Sequence, residues 1–188
     1  MRLEYTPDLA KRIERQKGFE EVLDVFQELL SEGRDLPLIL HVRDQPGSSE
    51  MSTTCLDILE LKVPMSNQRA QAIHRHCYNG GLEEVRKWRD IFPRTHFGFT
   101  GLITDPTKRH PEIREVIKEL PMDKILLESD SPHLLPELFK RNETYNTPYG
   151  VEEVARVISE VRDLPLKEVI KACNENAEQL YRLLPHAH

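Results

Sequence analysis

Short apolar runs alternate along this chain with longer stretches of helical spacing, and that order leaves few folds open. Residues 36–42, 72–78, 95–100 and 125–127 read as strands, because each is brief, largely apolar and closed by turn residues or proline. Between them, residues 9–31, 52–62, 82–91 and 111–120 read as helices. The first of these repeats Phe19, Val22, Leu23, Phe26, Leu29 and Leu30 on one face, with Gly33 behind it as a cap. Pro111 suits the first position of the fourth. Two more amphipathic helices close the chain. One carries Val151, Val154, Val157, Ile158 and Val161; the other carries Val169, Ile170, Cys173, Ala177 and Leu180. Strand–helix alternation at this spacing means parallel pairing with helical crossovers, so the expected class is α/β.

Composition narrows the setting. At 188 residues, 38% hydrophobic and 31% charged, the chain suits one domain with a substantial core. No apolar run approaches the roughly 20 residues that cross a bilayer, and residues 1–17 are too charged for a signal peptide. Cys55, Cys77 and Cys173 form no close pair, which argues against a disulfide scaffold and fits a reducing compartment, cytoplasm or nucleus. The net charge of −6 disfavours a passive nucleic-acid binder. It disfavours a nuclease less, since bound cations can hold a phosphate. Gly80-Gly81 lacks the spacing of a phosphate-binding glycine loop.

The strand ends carry the chemistry. Ile125-Leu126-Leu127 runs into Glu128 and Asp130, and Pro132 stops any regular continuation. Charge at the end of a buried strand is costly without a cation or hydrogen bonds to compensate it. His41 follows the apolar run of the first strand, with Arg43 two residues on; His74 and His76 lie on one face of the second. Imidazole and carboxylate are the side chains of hydrolytic metal sites. In parallel α/β folds the carboxyl ends of the strands are where such sites are built. Each residue alone has a plainer reading: a hydrogen-bonded structural histidine, a capping carboxylate. For Arg43, a phosphate grip competes with an ion pair to Asp44. Three strand ends in agreement favour a metal site of His41, His76 and Asp130. His74 sits deeper than His76, and Glu128 deeper than Asp130.

Several segments resemble, in order, the signatures of the TatD-related metal-dependent nucleases. They are Leu36-Pro37-Leu38-Ile39-Leu40-His41-Val42-Arg43, His76-Cys77-Tyr78-Asn79-Gly80 and Glu128-Ser129-Asp130-Ser131-Pro132, with Asn146-x-Pro148 and Asn176-Ala177 after them. His74-Arg75-His76-Cys77 and Phe97-Gly98-Phe99-Thr100 are most similar to an animal branch of that family. The resemblance implies an amidohydrolase-like TIM barrel and a divalent-metal phosphodiesterase, in outline a 3'-5' exonuclease on single-stranded DNA or RNA. It implies two metal ions (Mg, Mn or Zn), with His41 and His76 holding one. Asp130 would hold the other and help activate water, and Arg43 would bind substrate.

The family's opening H-x-H strand and the glutamate of its G-E-x-G-L-D-Y segment have no counterpart here; Arg2-Leu3-Glu4-Tyr5 aligns with the tail of that segment. The expectation is therefore one domain over residues 1–188, truncated at its N-terminal side, forming about the last four strands of a (β/α)8 barrel with their helices. The site would be incomplete, and open sheet edges would invite self-association. Two other readings stay open: a catalytically inactive fragment or pseudoenzyme, and an amidohydrolase-type enzyme cleaving C–N or C–O bonds.

Overall fold

The computed structural model describes residues 2–45, 47–105 and 111–183. Among them the strands are β1 (Arg2–Glu4), β2 (Leu38–Arg43), β3 (Ile73–His76), β4 (Thr95–Phe99) and β5 (Ile125–Leu127). The helices are α1 (Leu9–Ser31), α2 (Glu50–Lys62), α3 (Met65–Gln68), α4 (Leu82–Ile91), α5 (Pro111–Glu119), α6 (Val151–Arg162) and α7 (Leu166–Tyr181). This is an α/β fold with a parallel five-strand sheet in the order β1-β2-β3-β4-β5. The chain divides into two compact units. One takes in residues up to His76 together with Arg86–Thr95; the other takes in Cys77–Val85 and the chain from His96 onward.

In the first unit, β2 pairs in parallel with β1 on one side and β3 on the other. Leu38, Leu40 and Val42 alternate inward along β2, and Leu3 of β1 is buried beside them. Phe19, Leu23 and Phe26 form the buried stripe of α1; Cys55, Leu56 and Leu59 do the same for α2. Both helices begin on a carboxylate. Asp8 accepts from the amides of Ala10 and Lys11 (3.0 and 3.3 Å), and Asp44 accepts from Met51 and Ser52 (2.6 and 3.0 Å). Amides at a helix start have no partner within the helix, which is why a carboxylate there stabilises it. Trp88 is fully buried; its indole N–H donates to Ser52 Oγ (3.0 Å) and its ring lies under the Arg75 guanidinium, 4.7 Å from the ring centre.

In the second unit, β4 pairs with β5, placing Phe97 opposite Ile125 and Phe99 opposite Leu127. Side-chain amides and guanidinium groups replace backbone partners where regular structure stops. Arg162, in the last turn of α6, donates to the carbonyls of Ile117, Lys118 and Leu120, which the end of α5 leaves without helical partners. Asn176 of α7 is buried and donates to the carbonyls of Met122 and Ile125 (2.7 and 2.8 Å), fixing the entry into β5.

The strand count departs from the four expected. β1 holds three residues with Leu3 as its single apolar side chain, too short for any periodicity; it is a strand only because it pairs with β2. The second strand begins at Leu38 rather than residue 36. Pro37 has no N–H to give, and the first rung is Leu38 N–H donating to Ala72 O (2.9 Å). β5 ends at Leu127, three residues short of Asp130.

Asn176→Ala leaves two buried carbonyls without their donor. We expect it to lower unfolding stability by about 2 kcal/mol, seen as a lower urea midpoint at constant slope. An unshifted midpoint would show that these bonds contribute nothing net.

Candidate functional site

The first unit assembles Glu4, His41 and His76 from three neighbouring strands. Parallel register sets Arg2 opposite His41, Glu4 opposite Arg43, and His41 opposite His76. The rings of His41 and His76 stand 5.2 Å apart between centres, and His74 meets His76 edge-on at 6.0 Å. Glu4 Oε1 lies 3.4 Å from His41 Nε2. That nitrogen is buried and makes no hydrogen bond among the described residues.

Charges around the pair fix its protonation. Burial lowers the His41 pKa, and the neighbouring His76 lowers it further, against the pull of Glu4. Burial pushes the Glu4 carboxyl up, but the hydrogen bond and charge of Arg2, with His41 and Arg43, outweigh it and leave the pKa below its ordinary value. At neutral pH the pair is therefore an ionised carboxylate and a neutral imidazole. The buried His41 Nε2 is without a hydrogen-bond partner among the described residues, and the Glu4 oxygen 3.4 Å away is an anionic electron-pair donor that Arg2 already contacts. This donor set fits a divalent cation.

Arg2 and Arg15, both exposed, flank Glu4. Arg2 Nη2 binds Glu4 Oε1 at 2.6 Å; Arg15 Nη1 reaches the Glu4 carbonyl at 3.2 Å and its Oε2 at 3.9 Å. Arg43 is exposed at the end of β2. Asp44, the partner expected as its alternative, is engaged with the first amides of α2.

The second unit holds the carboxylate loop. Glu128 Oε2 accepts from the Cys77 amide at 2.8 Å, and the Glu128 amide donates to Phe99 O at 2.9 Å. Asp130 adopts a left-handed backbone (φ 53°), a conformation that Asp tolerates better than most residues. Strand alternation therefore stops before Asp130, and its side-chain direction does not follow from that of Glu128. Asn146 ties the loop down. It is buried, its amide nitrogen donates to Ser129 O (2.6 Å) and Leu134 O (3.3 Å), and its own N–H donates to Pro132 O (2.9 Å). Tyr181, the last residue of α7, has its phenol pushed up to about 12, first by burial and then by the Glu128 charge.

Of the residues expected from sequence, the first unit brings His41 and His76 together and sets Arg43 opposite Glu4; Asp130 lies in the second unit. Glu4 was missed as a participant. Its signal was the alternation Arg2-x-Glu4, too short to mark a strand by itself.

A parallel α/β sheet with imidazoles and carboxylates at its strand ends is the build of the metal-dependent hydrolases. The sequence model described as TatD related DNase matches residues 5–182, and the chain belongs to that family. It is 30% identical over 171 residues to the 3'-5' RNA nuclease TATDN2 of Homo sapiens, covering 90% of this chain and 20% of that protein. To the uncharacterized metal-dependent hydrolase YabD of Bacillus subtilis it is 29% identical over 187 residues, covering 97% of this chain and 64% of that protein. The crystal structure of YjjV, a TatD homolog from Escherichia coli, superimposes with a TM-score of 0.74 at 25% identity, covering 98% of this chain and 62% of that one. The chain thus spans less than two thirds of the length of each. No helix among the described residues is long and apolar enough to cross a membrane.

Asn146→Ala removes the donor for two carbonyls of the Glu128–Pro136 loop. We expect a loss of about 1–3 kcal/mol in stability and faster amide exchange at residues 129–134. Unchanged exchange there would mean that the loop is held by other contacts.

Proposed function

We propose that this chain is the part of a divalent-metal-dependent nuclease that carries His41, His76 and Asp130, hydrolysing phosphodiester bonds of single-stranded DNA or RNA from the 3' end. The observation that carries the reading is the pairing of a neutral imidazole with an ionised carboxylate 3.4 Å away, in a chain of the TatD-related family. The names of the relatives support it: one is a 3'-5' RNA nuclease and another a metal-dependent hydrolase.

In this reading His41 and His76 would hold one cation and Asp130 a second, with Glu4, 3.4 Å from His41, adding negative charge beside the first. Bound divalent ions supply Lewis acidity for a phosphoryl oxygen and lower the pKa of water. The chain's own groups do the rest. Asp130 takes the proton of the attacking water, the part of a general base. Arg43, exposed at the end of β2, grips a flanking phosphate through its planar fork. Arg2 keeps Glu4 ionised, and burial together with His76 keeps His41 neutral against the pull of that carboxylate, so that His41 presents a lone pair.

The sheet is proposed to be part of a TIM-type barrel, about its later strands, as the family and the YjjV superposition suggest. β1 and β5 end the strand order, and pairing through such edges is a route to self-association that sedimentation velocity reads directly. The buried thiols of Cys55, Cys77 and Cys173, none of them in a disulfide, suit a reducing compartment, cytoplasm or nucleus.

The test is cleavage of end-labelled single-stranded DNA and RNA with Mg²⁺ or Mn²⁺. We expect shortening from the 3' end that a chelator stops. Asp130→Asn should cut the rate by about 100-fold or more, the scale of a lost general base, and His41→Ala should weaken Mn²⁺ binding by calorimetry. Cleavage that survives chelation sinks the reading. So does a chain that, with metal supplied, neither binds the ion nor cuts either polymer; the inactive-fragment reading then stands.

A further inference from the structure

The unused feature of the second unit is the surrounding of the Glu128 carboxylate. Three chain segments meet there: the residues after β3, the end of β4 and the residue after β5. Tyr78 N–H donates to Gly98 O (2.8 Å), Glu128 N–H donates to Phe99 O (2.9 Å), and Cys77 N–H donates to Glu128 Oε2 (2.8 Å). The first two bonds continue backbone pairing past the strand ends. The third replaces a backbone acceptor with a side-chain carboxylate.

Two further observations show that the replacement is built in. Cys77 is left-handed (φ 51°), a costly backbone for a residue with a side chain, so its peptide needs an outside partner to hold it. Gly98 is the floor on which the carboxylate rests. A Cβ built there would fall within 2.5 Å of Glu128 Oε1, with Oε2 and Cδ equally crowded. Gly98 keeps an ordinary backbone, since its φ is not positive. It is glycine for space and not for conformation.

We infer that Glu128 is a positioning residue, which sets the direction of the chain at Cys77 and so the placing of His76 one residue before it. This rests on the nuclease reading for its effect on turnover, but not for its effect on structure. The part played by Glu128 is that of a hydrogen-bond acceptor. An anionic acceptor makes the stronger bond to an amide, and a neutral carbonyl of the same shape still makes one.

The experiment compares Glu128→Gln, Glu128→Ala and Gly98→Ala in the whole chain. Two readings are taken: kcat/KM with Mn²⁺ on single-stranded substrate, and hydrogen exchange of the Cys77 amide in protein labelled with ¹⁵N-cysteine. Gln keeps an acceptor, so we expect a protected Cys77 amide and kcat/KM within about tenfold of the unmutated chain. Ala removes the acceptor, and Gly98→Ala pushes it away while leaving Glu128 in place. Both should expose the amide to exchange and lower kcat/KM by about 100-fold, the penalty of a misplaced reacting group. Urea midpoints identify any variant that is merely unfolded, and the remaining pair then decides. Glu128→Gln as damaging as Glu128→Ala would overturn the inference, because charge would then be what matters. So would a Gly98→Ala chain with a protected Cys77 amide and full activity. Should the unmutated chain neither bind Mn²⁺ nor cleave either polymer, the nuclease reading fails, and the inference is judged on exchange alone. If it binds Mn²⁺ without cleaving, Mn²⁺ affinity is read beside exchange. In both cases Ala and Gly98→Ala must lower protection, and affinity where it is read, and Gln must not.

Discussion

Parallel pairing with β2 is the constraint on which the first unit depends. A parallel ladder gives neighbouring strands the same direction, so their carboxyl ends emerge on one rim. Register then decides which side chains meet there. One residue of slip would turn each affected side chain to the opposite face. Leu38, Leu40 and Val42 fix the register from the buried side. With Leu38, Leu40 and Val42 on the buried side, His41 faces the other way, and the register sets His76 beside it. Packing thus chooses the face on which the chemistry of the rim stands.

The two units solve the same electrostatic difficulty differently. In the first, opposite and neutral groups are set side by side: Arg2 and Arg15 against Glu4, Glu4 against a histidine kept uncharged by burial. In the second, a carboxylate is held by a backbone amide and a bare glycine. An arginine partner makes a group charged. An amide partner fixes where the charge is. The first arrangement governs protonation, and the second governs position.

Much of this was legible in the sequence. The first helix, the α4 helix and the β5 strand fall where the sequence pattern put them, although α1 buries only Phe19, Leu23 and Phe26 of its expected face and leaves Val22 exposed. His41 and His76 were legible as well. Polar side chains directly after apolar residues of a strand must lie at its mouth or be buried at a cost. Glu4 was not legible, since a three-residue strand is defined by its neighbour and carries no period of its own. Nor was the left-handed turn at Asp130, which breaks the alternation that made it look like a continuation of Glu128. At Gly98 a close approach was legible, but not that a side chain, the Glu128 carboxylate, is what comes close. A glycine chosen for the space above it leaves the same mark in a sequence as one chosen for its backbone.

The burial of Trp88 has an optical consequence. It is the sole tryptophan of the chain, and it sits in the first unit, with its indole N–H bonded to Ser52 and a cation over its ring. Its emission reports on the surroundings of Ser52 and Arg75, in the unit that carries His41 and His76. Cys173 lies in the second unit, buried, with its thiol pushed up to about 12 by burial. It resists alkylation until that unit opens. Fluorescence and thiol trapping, followed side by side, would separate loss of the two halves in time, which neither signal could do alone.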